Sequence, residues 1–372
     1  MSAHEETCNA LAICLLANAP VVLWGAPGQG KTSVVEQIAV DQGLHLETVI
    51  ASIREPSDFA GLPIVDMLDK TITLAPPRWA RSVTDAERGL IFFDEISTAP
   101  PAVQAAMLRV VLDRVVGDLP MSKDVRIVAA ANPPEMAADG WDLSLPMANR
   151  FTHLDWTLPP ETVRDGFTMG WPTVELPQID VAEAERQTVK AKLLVGTFIG
   201  VRPELTTKVP TSSTEGGRGY PTPRSWESAA TLYGYAMAAG ASQTVINMLL
   251  IGTIGLAATQ EFTAYVANLD LPDPEALLAD PESLVVPSNR GDKVYAIGAS
   301  VWAATNANNT KERWVACGVI LAKIADAGHA DIAFTMGGRW AKARPSGAMP
   351  AAVTAKSLGP ILAELNLISS KG

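Results

Sequence analysis

Residues 24–33 read WGAPGQGKTS, preceded by the apolar run VVL and followed by the amphipathic stretch VVEQIAV. Gly25-Ala26-Pro27-Gly28-Gln29-Gly30-Lys31-Thr32 fits the pattern GxxxxGK(S/T), and Ser33 continues it. Glycines let the backbone curl so that successive N–H groups point at phosphate oxygens, and the helix that follows adds its positive N-terminus. In such a loop Lys31 reaches the β- and γ-phosphates and the Thr32 hydroxyl ligates Mg²⁺. Strand-like and helix-like runs flank the loop, as this chemistry requires. The loop alone does not separate a plain nucleotide pocket from a kinase or from one subunit of a ring.

Outward from the loop, short β-branched runs alternate with helical patterns through the first 160 residues. VVLWG (21–25), ETVIASI (47–53), LIFFDE (90–95), VRIVAAAN (125–132) and THLDW (152–156) read as strands. Several are apolar without alternation, as parallel strands covered on both faces are. PPAVQAAMLRVVLDRVV (100–116) reads as a helix opened by prolines. The pattern predicts a three-layer α/β P-loop domain with a parallel sheet over residues 1–160. GLPIVDMLDKTITLAPPRWA (61–80) predicts an inserted hairpin turning at Asp69-Lys70, and VVGDLPMSKDVRI (115–127) a shorter one. Beyond LPP (158–160) the chain turns alanine-rich and helical, which predicts a helical lid over 161–268. A C-terminal helical extension over 269–372 would follow. Its Pro- and Asp-rich start, 269–292, reads as a connector, then helix to about 328, then a tail from 337 that is irregular before it is helical.

Composition narrows the function classes. The chain has 372 residues, 48% of them hydrophobic and 19% charged, which describes a folded protein. A formal net charge of −11 argues against a general affinity for nucleic-acid backbone. Cys8, Cys14 and Cys317 form no CxxC pair, and the four histidines have no metal-ligand spacing. That fits a reducing cytoplasm without structural zinc. Cys8 and Cys14 read as buried small apolar residues on a helix. VINMLLIGTIGLAA (245–258) is too short to span a bilayer and reads as a core helix. The acidic start lacks the basic region of a signal peptide. Trp79, Trp302, Trp314 and Trp340 read as core residues more than interface anchors.

Four further stretches carry chemistry. LIFFDEIS (90–97) ends an apolar strand in Asp94-Glu95, at the sheet edge where α/β proteins bind ligands. Asp94 would hold Mg²⁺ through water and Glu95 would polarise an attacking water. VRIVAAANPPE (125–135) ends in Asn132, whose amide would orient that water, or which simply forms a turn before proline. In LPMANRFTHLDW (145–156), Arg150 precedes a strand at the far edge of the domain, where a guanidinium would reach a neighbouring subunit's γ-phosphate or pair with a surface carboxylate. In YPTPRSWESAA (220–230), Thr222 caps a helix with Pro223 at its first position, so Arg224 lies in the opening turn, where a guanidinium would report nucleotide state to the helical domain or is an ordinary helix-start arginine.

Together these motifs resemble an AAA+ ATPase: Walker A, Walker B, sensor 1, arginine finger, sensor 2. SDFAGLPIVD (57–66), LIFFDEISTAPPAVQAAMLRVV (90–111), AAANPPE (129–135) and LPMANRF (145–151) resemble the MoxR family within it, which carries an insert before the Walker B strand. Departures are Asn149, where the family has aspartate before Arg-Phe, and Ser97-Thr98, where it has Asn-Arg. The resemblance implies ATP and Mg²⁺ as ligands and a ring, a hexamer, with active sites between subunits. It also implies a chaperone-like remodeller working with a partner that bears a von Willebrand factor A domain. Arg109 and Arg114 are alternative interface arginines. A nucleic-acid motor of the restriction NTPase kind and a structural subunit with little turnover are the competing readings.

Overall fold

In a computed structural model, the described residues are 2–68, 70–133, 136, 141–171, 174–211 and 217–364. The chain divides into two compact units, residues 1–188 with 204–260 and residues 189–203 with 261–372.

The first unit is built on a five-stranded sheet. Its strands are β1 (Val21–Trp24), β2 (His45–Ile50), β5 (Gly89–Asp94), β8 (Arg126–Ala131) and β9 (Thr152–Asp155). Two antiparallel hairpins lie outside it, β3 (Leu62–Asp66) with β4 (Thr71–Ala75) and β6 (Val115–Val116) with β7 (Leu119–Pro120). The sheet order is β2-β5-β8-β1-β9, and every pair in it is parallel. Val21 to Leu23 and Leu90 to Phe93 are fully buried, each such side chain stabilising the fold by about 1.5–3 kcal/mol. Trp24 pairs with Ala131 and Phe93 with Ala129, so β1, β5 and β8 end at one edge. Gly25, Asp94 and Asn132 therefore emerge side by side. This is the predicted parallel P-loop sheet with helices around it.

The strand predicted over 47–53 ends at Ile50, and Ala51–Ile53 form a 3₁₀ turn. The turn buries Ala51 and lifts Ser52 off the sheet line towards Glu95. The first predicted hairpin forms, with Ile64 opposite Thr73 and Lys70 at φ +55°; Asp69 lies outside the described residues. Helices α1 (Ala3–Leu16), α2 (Lys31–Asp41) and α3 (Pro101–Asp113) belong to this unit. So do α4 (Pro223–Ala238) and α5 (Gln243–Ile254). No helix among the described residues is long and apolar enough to cross a membrane.

The second unit is helical, and here two expectations are corrected. Residues 269–292 are not a bare connector. Asp273 caps the helix Pro274–Ala279 and Asp280 caps the 3₁₀ turn Pro281–Ser283, so each Asp-Pro is a helix start. Leu277, Leu278 and Leu284 enter the core of this unit. The tail from 337 is not irregular at first, because Ala330–Lys342 is one helix that buries Trp340. Trp314 and Trp340 stack 4.2 Å apart, and each indole N–H donates to the other residue's carbonyl. Trp79, Trp314 and Trp340 are buried, and Trp302 packs against the same core as Trp314.

Candidate nucleotide site and a paired-arginine concavity

The loop between β1 and α2 takes its shape from its glycines. Gly28 and Gly30 stand at φ +77° and +70°, where a side chain is strained. A Cβ on Gly25 would sit 2.3 Å from the Trp156 carbonyl oxygen, so the edge strand's backbone packs against this position. Gln29 is anchored there too: its carbonyl accepts from Trp156 Nε1 at 2.8 Å and its Oε1 from the Leu158 N–H at 2.9 Å.

Lys31, at the start of α2, donates to the Gly25 carbonyl (2.6 Å), the Ala26 carbonyl (3.0 Å) and Asn132 Oδ1 (3.0 Å). Burial pulls its pKa below the ordinary lysine value, and Asp94 works against that shift. Thr32 Oγ1 donates to Asp94 Oδ2 at 3.0 Å. A hydroxyl and a carboxylate held together on adjoining elements are hard oxygen donors, the set that suits Mg²⁺ with water and phosphate completing its shell. Glu95 is exposed and sits in the left-handed region (φ +53°), its Oε2 accepting from Ser52 Oγ at 2.7 Å. The structure thus brings Lys31, Thr32, Asp94 and Asn132 into direct contact, with Glu95 next in chain to Asp94.

A cavity of about 400 Å³ adjoins the loop, lined among others by His4, Cys8, Gln29, Ser33, Trp156 and Leu158. Cys14 is buried as expected, whereas Cys8 faces this cavity with Sγ 3.6 Å from His4 Nε2. His4 Nδ1 bonds the Thr157 carbonyl at 3.1 Å.

Arg150 and Arg224 line a different concavity, of about 480 Å³, with Leu145, Asn149, Tyr220 and Thr222. Arg150 directly precedes the segment leading into β9, which is the edge strand as predicted. Thr222 caps α4 by accepting from the Ser225 N–H, and Pro223 opens it, which puts Arg224 in the first turn as predicted. Arg150 donates through Nη1 to the Pro146 carbonyl, while its buried Nε has no partner. Burial first, and Arg224 second, lower its pKa from the ordinary arginine value, while Asp113 and Tyr220 work against that shift. The lining of this concavity contains no carboxylate. Of the alternative arginines, Arg109 Nη1 donates to the Gly117 carbonyl, much as Arg150 does to Pro146, and Arg114 donates to the Val125 carbonyl and Asn18 Oδ1.

Several contributors were not legible in the sequence. Ser97 is buried and brackets Asn132, accepting from its N–H (3.1 Å) and donating to its carbonyl (3.2 Å). It was visible only as a departure from the family pattern. Asn149 donates to the Tyr220 carbonyl (3.0 Å) and accepts from Thr222 Oγ1 (2.8 Å), tying the Arg150 segment to the start of α4. An aspartate there could not make the first bond. Ser52 and Trp156 carried no local signal.

Residues 20–151 match the family model for the AAA domain, dynein-related subfamily. Over 139 residues the chain is 43% identical to the Psp operon transcriptional activator of Escherichia coli (strain K12), covering 32% of this chain and 40% of that protein. Over 148 residues it is 31% identical to the ribosome biogenesis ATPase RIX7 of Saccharomyces cerevisiae, covering 35% of this chain and 15% of that protein. The chain therefore spans less than half the length of these curated relatives. A solved structure from Cytophaga hutchinsonii, provisionally described as an ATPase, is 16% identical, covers 70% of this chain and 87% of that one, and has a TM-score of 0.43.

Proposed function

From the AAA+ ATPase domain that residues 20–151 form, we propose that this chain hydrolyses Mg·ATP as one subunit of a ring, a hexamer. Each site is completed by Arg150 and Arg224 of the adjacent copy. The carrying observation is that these two guanidiniums share one carboxylate-free concavity, whose lining includes no residue of the P-loop. Asp113 acts on Arg150 from outside that lining, but no carboxylate lies between the two guanidiniums in the concavity, and the γ-phosphate held by a neighbouring copy supplies the anion there. An arginine delivered in this way stabilises charge that develops on the transferring phosphoryl group.

Within one copy, the backbone of Gly25 to Ser33 cradles the phosphates, and Lys31 leaves its carbonyl partners for the β- and γ-oxygens. Thr32 and Asp94 would hold the metal, which would supply positive charge against the phosphates. Glu95 takes the proton from the attacking water and Asn132 orients it. His4, Cys8 and Leu158 border the side of the loop open to the nucleoside.

We assign the ring to the MoxR type, a chaperone-like remodeller with a von Willebrand factor A partner. Support comes from the quoted motifs and from the β3–β4 hairpin, which exposes Leu62, Ile64, Val65 and Ile72 where a partner would dock. The test uses Glu95→Gln, which binds ATP without turning it over. Light scattering should give a monomer or small oligomer without nucleotide and a hexamer mass with Mg·ATP. A monomer mass under both conditions would contradict the ring.

A further inference from the structure

His153 lies in the middle of β9, is almost fully buried, and joins two parts of the first unit. The Trp24 indole N–H donates to its Nδ1 at 2.9 Å. Indole nitrogen can only donate, so Nδ1 is the acceptor and the ring proton resides on Nε2. Nε2 then donates to the Ala148 carbonyl at 2.9 Å. One neutral tautomer satisfies both bonds. The charged groups near the ring are Arg218, which stacks 4.5 Å over Trp24, and Asp155, which pairs with Arg218 at 2.8 Å.

The two partners matter for where they are. Trp24 is the residue before Gly25, the first of the phosphate loop. Ala148 ends the short helix Leu145–Ala148, two residues before Arg150. The same strand leaves towards Trp156, whose indole and whose carbonyl meet Gln29 and Gly25. One end of β9 thus grips the phosphate loop, and the other carries the arginine segment.

We propose that His153 is a positioning residue: through its bonds to Trp24 and Ala148 it holds the Arg150 segment in register with the chain's own phosphate loop. It touches no substrate. A subunit lacking it keeps a competent nucleotide loop but offers its neighbour a misplaced arginine. Misplacement by about 1 Å costs on the order of a hundredfold in rate. This rests on the reading that Arg150 acts on an adjacent copy.

The test is a mixing experiment with full-length chains. His153→Phe removes both bonds and should lower kcat about 10- to 100-fold while leaving the KM for ATP unchanged. Mixed at equal ratio with Lys31→Ala, which cannot hydrolyse but offers an intact Arg150, it should regain activity at the sites that pair its loop with the other's arginine. In random rings those are about a quarter of all sites. The control mixes Arg150→Ala with Lys31→Ala. Recovery in the control without recovery for His153→Phe would overturn the proposal, since the damage would then lie in the variant's own loop. An unchanged kcat would overturn it as well. If neither mixture recovers, the ring reading itself fails and the positioning role falls with it. Should His153→Phe not fold, Trp24→Phe removes the indole donor alone, and a smaller loss rescued in the same way is required of it.

Discussion

At one edge of the sheet, Lys31 bonds Asn132 and Thr32 bonds Asp94, whose charge acts on Lys31; beside the edge strand, Arg150 and Arg224 share a concavity whose lining holds no carboxylate. The first group is complete within one chain, because every cation there has oxygens to rest on. The second is not. The Arg150 Nε is buried without a partner, an arrangement that costs about 1–3 kcal/mol when nothing answers it. Arg224 is exposed, and its side chain makes no hydrogen bond or ion pair among the described residues. On the proposed reading, half of the chemistry is stored in a chain and half is offered outward, and three changes probe that division.

The largest expected effect is on turnover. Arg150→Ala should lower kcat about a thousandfold while ATP binding, measured by a fluorescent analogue, stays near that of the parent. A loss of binding instead would move Arg150 into the chain's own site and erase the contrast.

Next comes Asn149→Asp, which sharpens the comparison from the arginine side. The new carboxylate would face the Tyr220 carbonyl that Asn149 now donates to. Stability should fall by about 1–3 kcal/mol, read as a lower urea midpoint. An unchanged midpoint would show that this tie between the Arg150 segment and α4 does not hold the concavity together.

The smallest effect is one of pH. Burial depresses the His153 pKa from the ordinary 6.5 to about 4. The unfolded chain takes up this proton near the ordinary value and the folded chain does not, so stability falls as pH drops through 6.5 and the loss is complete near 4. Between pH 7 and 5.5 this group alone should remove about 1 kcal/mol. The same titration on His153→Phe should lack that component, and an equal slope in both proteins would contradict the neutral buried ring.

The extent to which the sequence announced this molecule follows from the range of each interaction. The phosphate loop, the Asp94-Glu95 strand end, Asn132 and the capped start of α4 are local patterns, and the structure has them where the spacing predicted. The parallel sheet was legible because strands buried on both faces read as unbroken apolar runs. What stayed hidden is non-local. Ser52 reaches Glu95 only because a 3₁₀ turn ends β2 early. Trp156 grips Gln29 across 127 residues of chain. The pairing of Arg150 with Arg224 depends on how a helix start 74 residues away packs near the edge strand, and no spacing rule encodes that. The Asp-Pro segment at 273–282 was misread for a different reason: the residues that favour linkers also start helices.

The central claim is that one chain's phosphate loop is completed by another chain's arginines. It is tested most directly by measuring ATP hydrolysis of Lys31→Ala and Arg150→Ala, each alone and mixed at equal ratio. The account predicts two nearly inactive proteins whose mixture recovers up to about a quarter of the parent activity. A mixture no more active than its components, with mixed rings confirmed by mass, would contradict it.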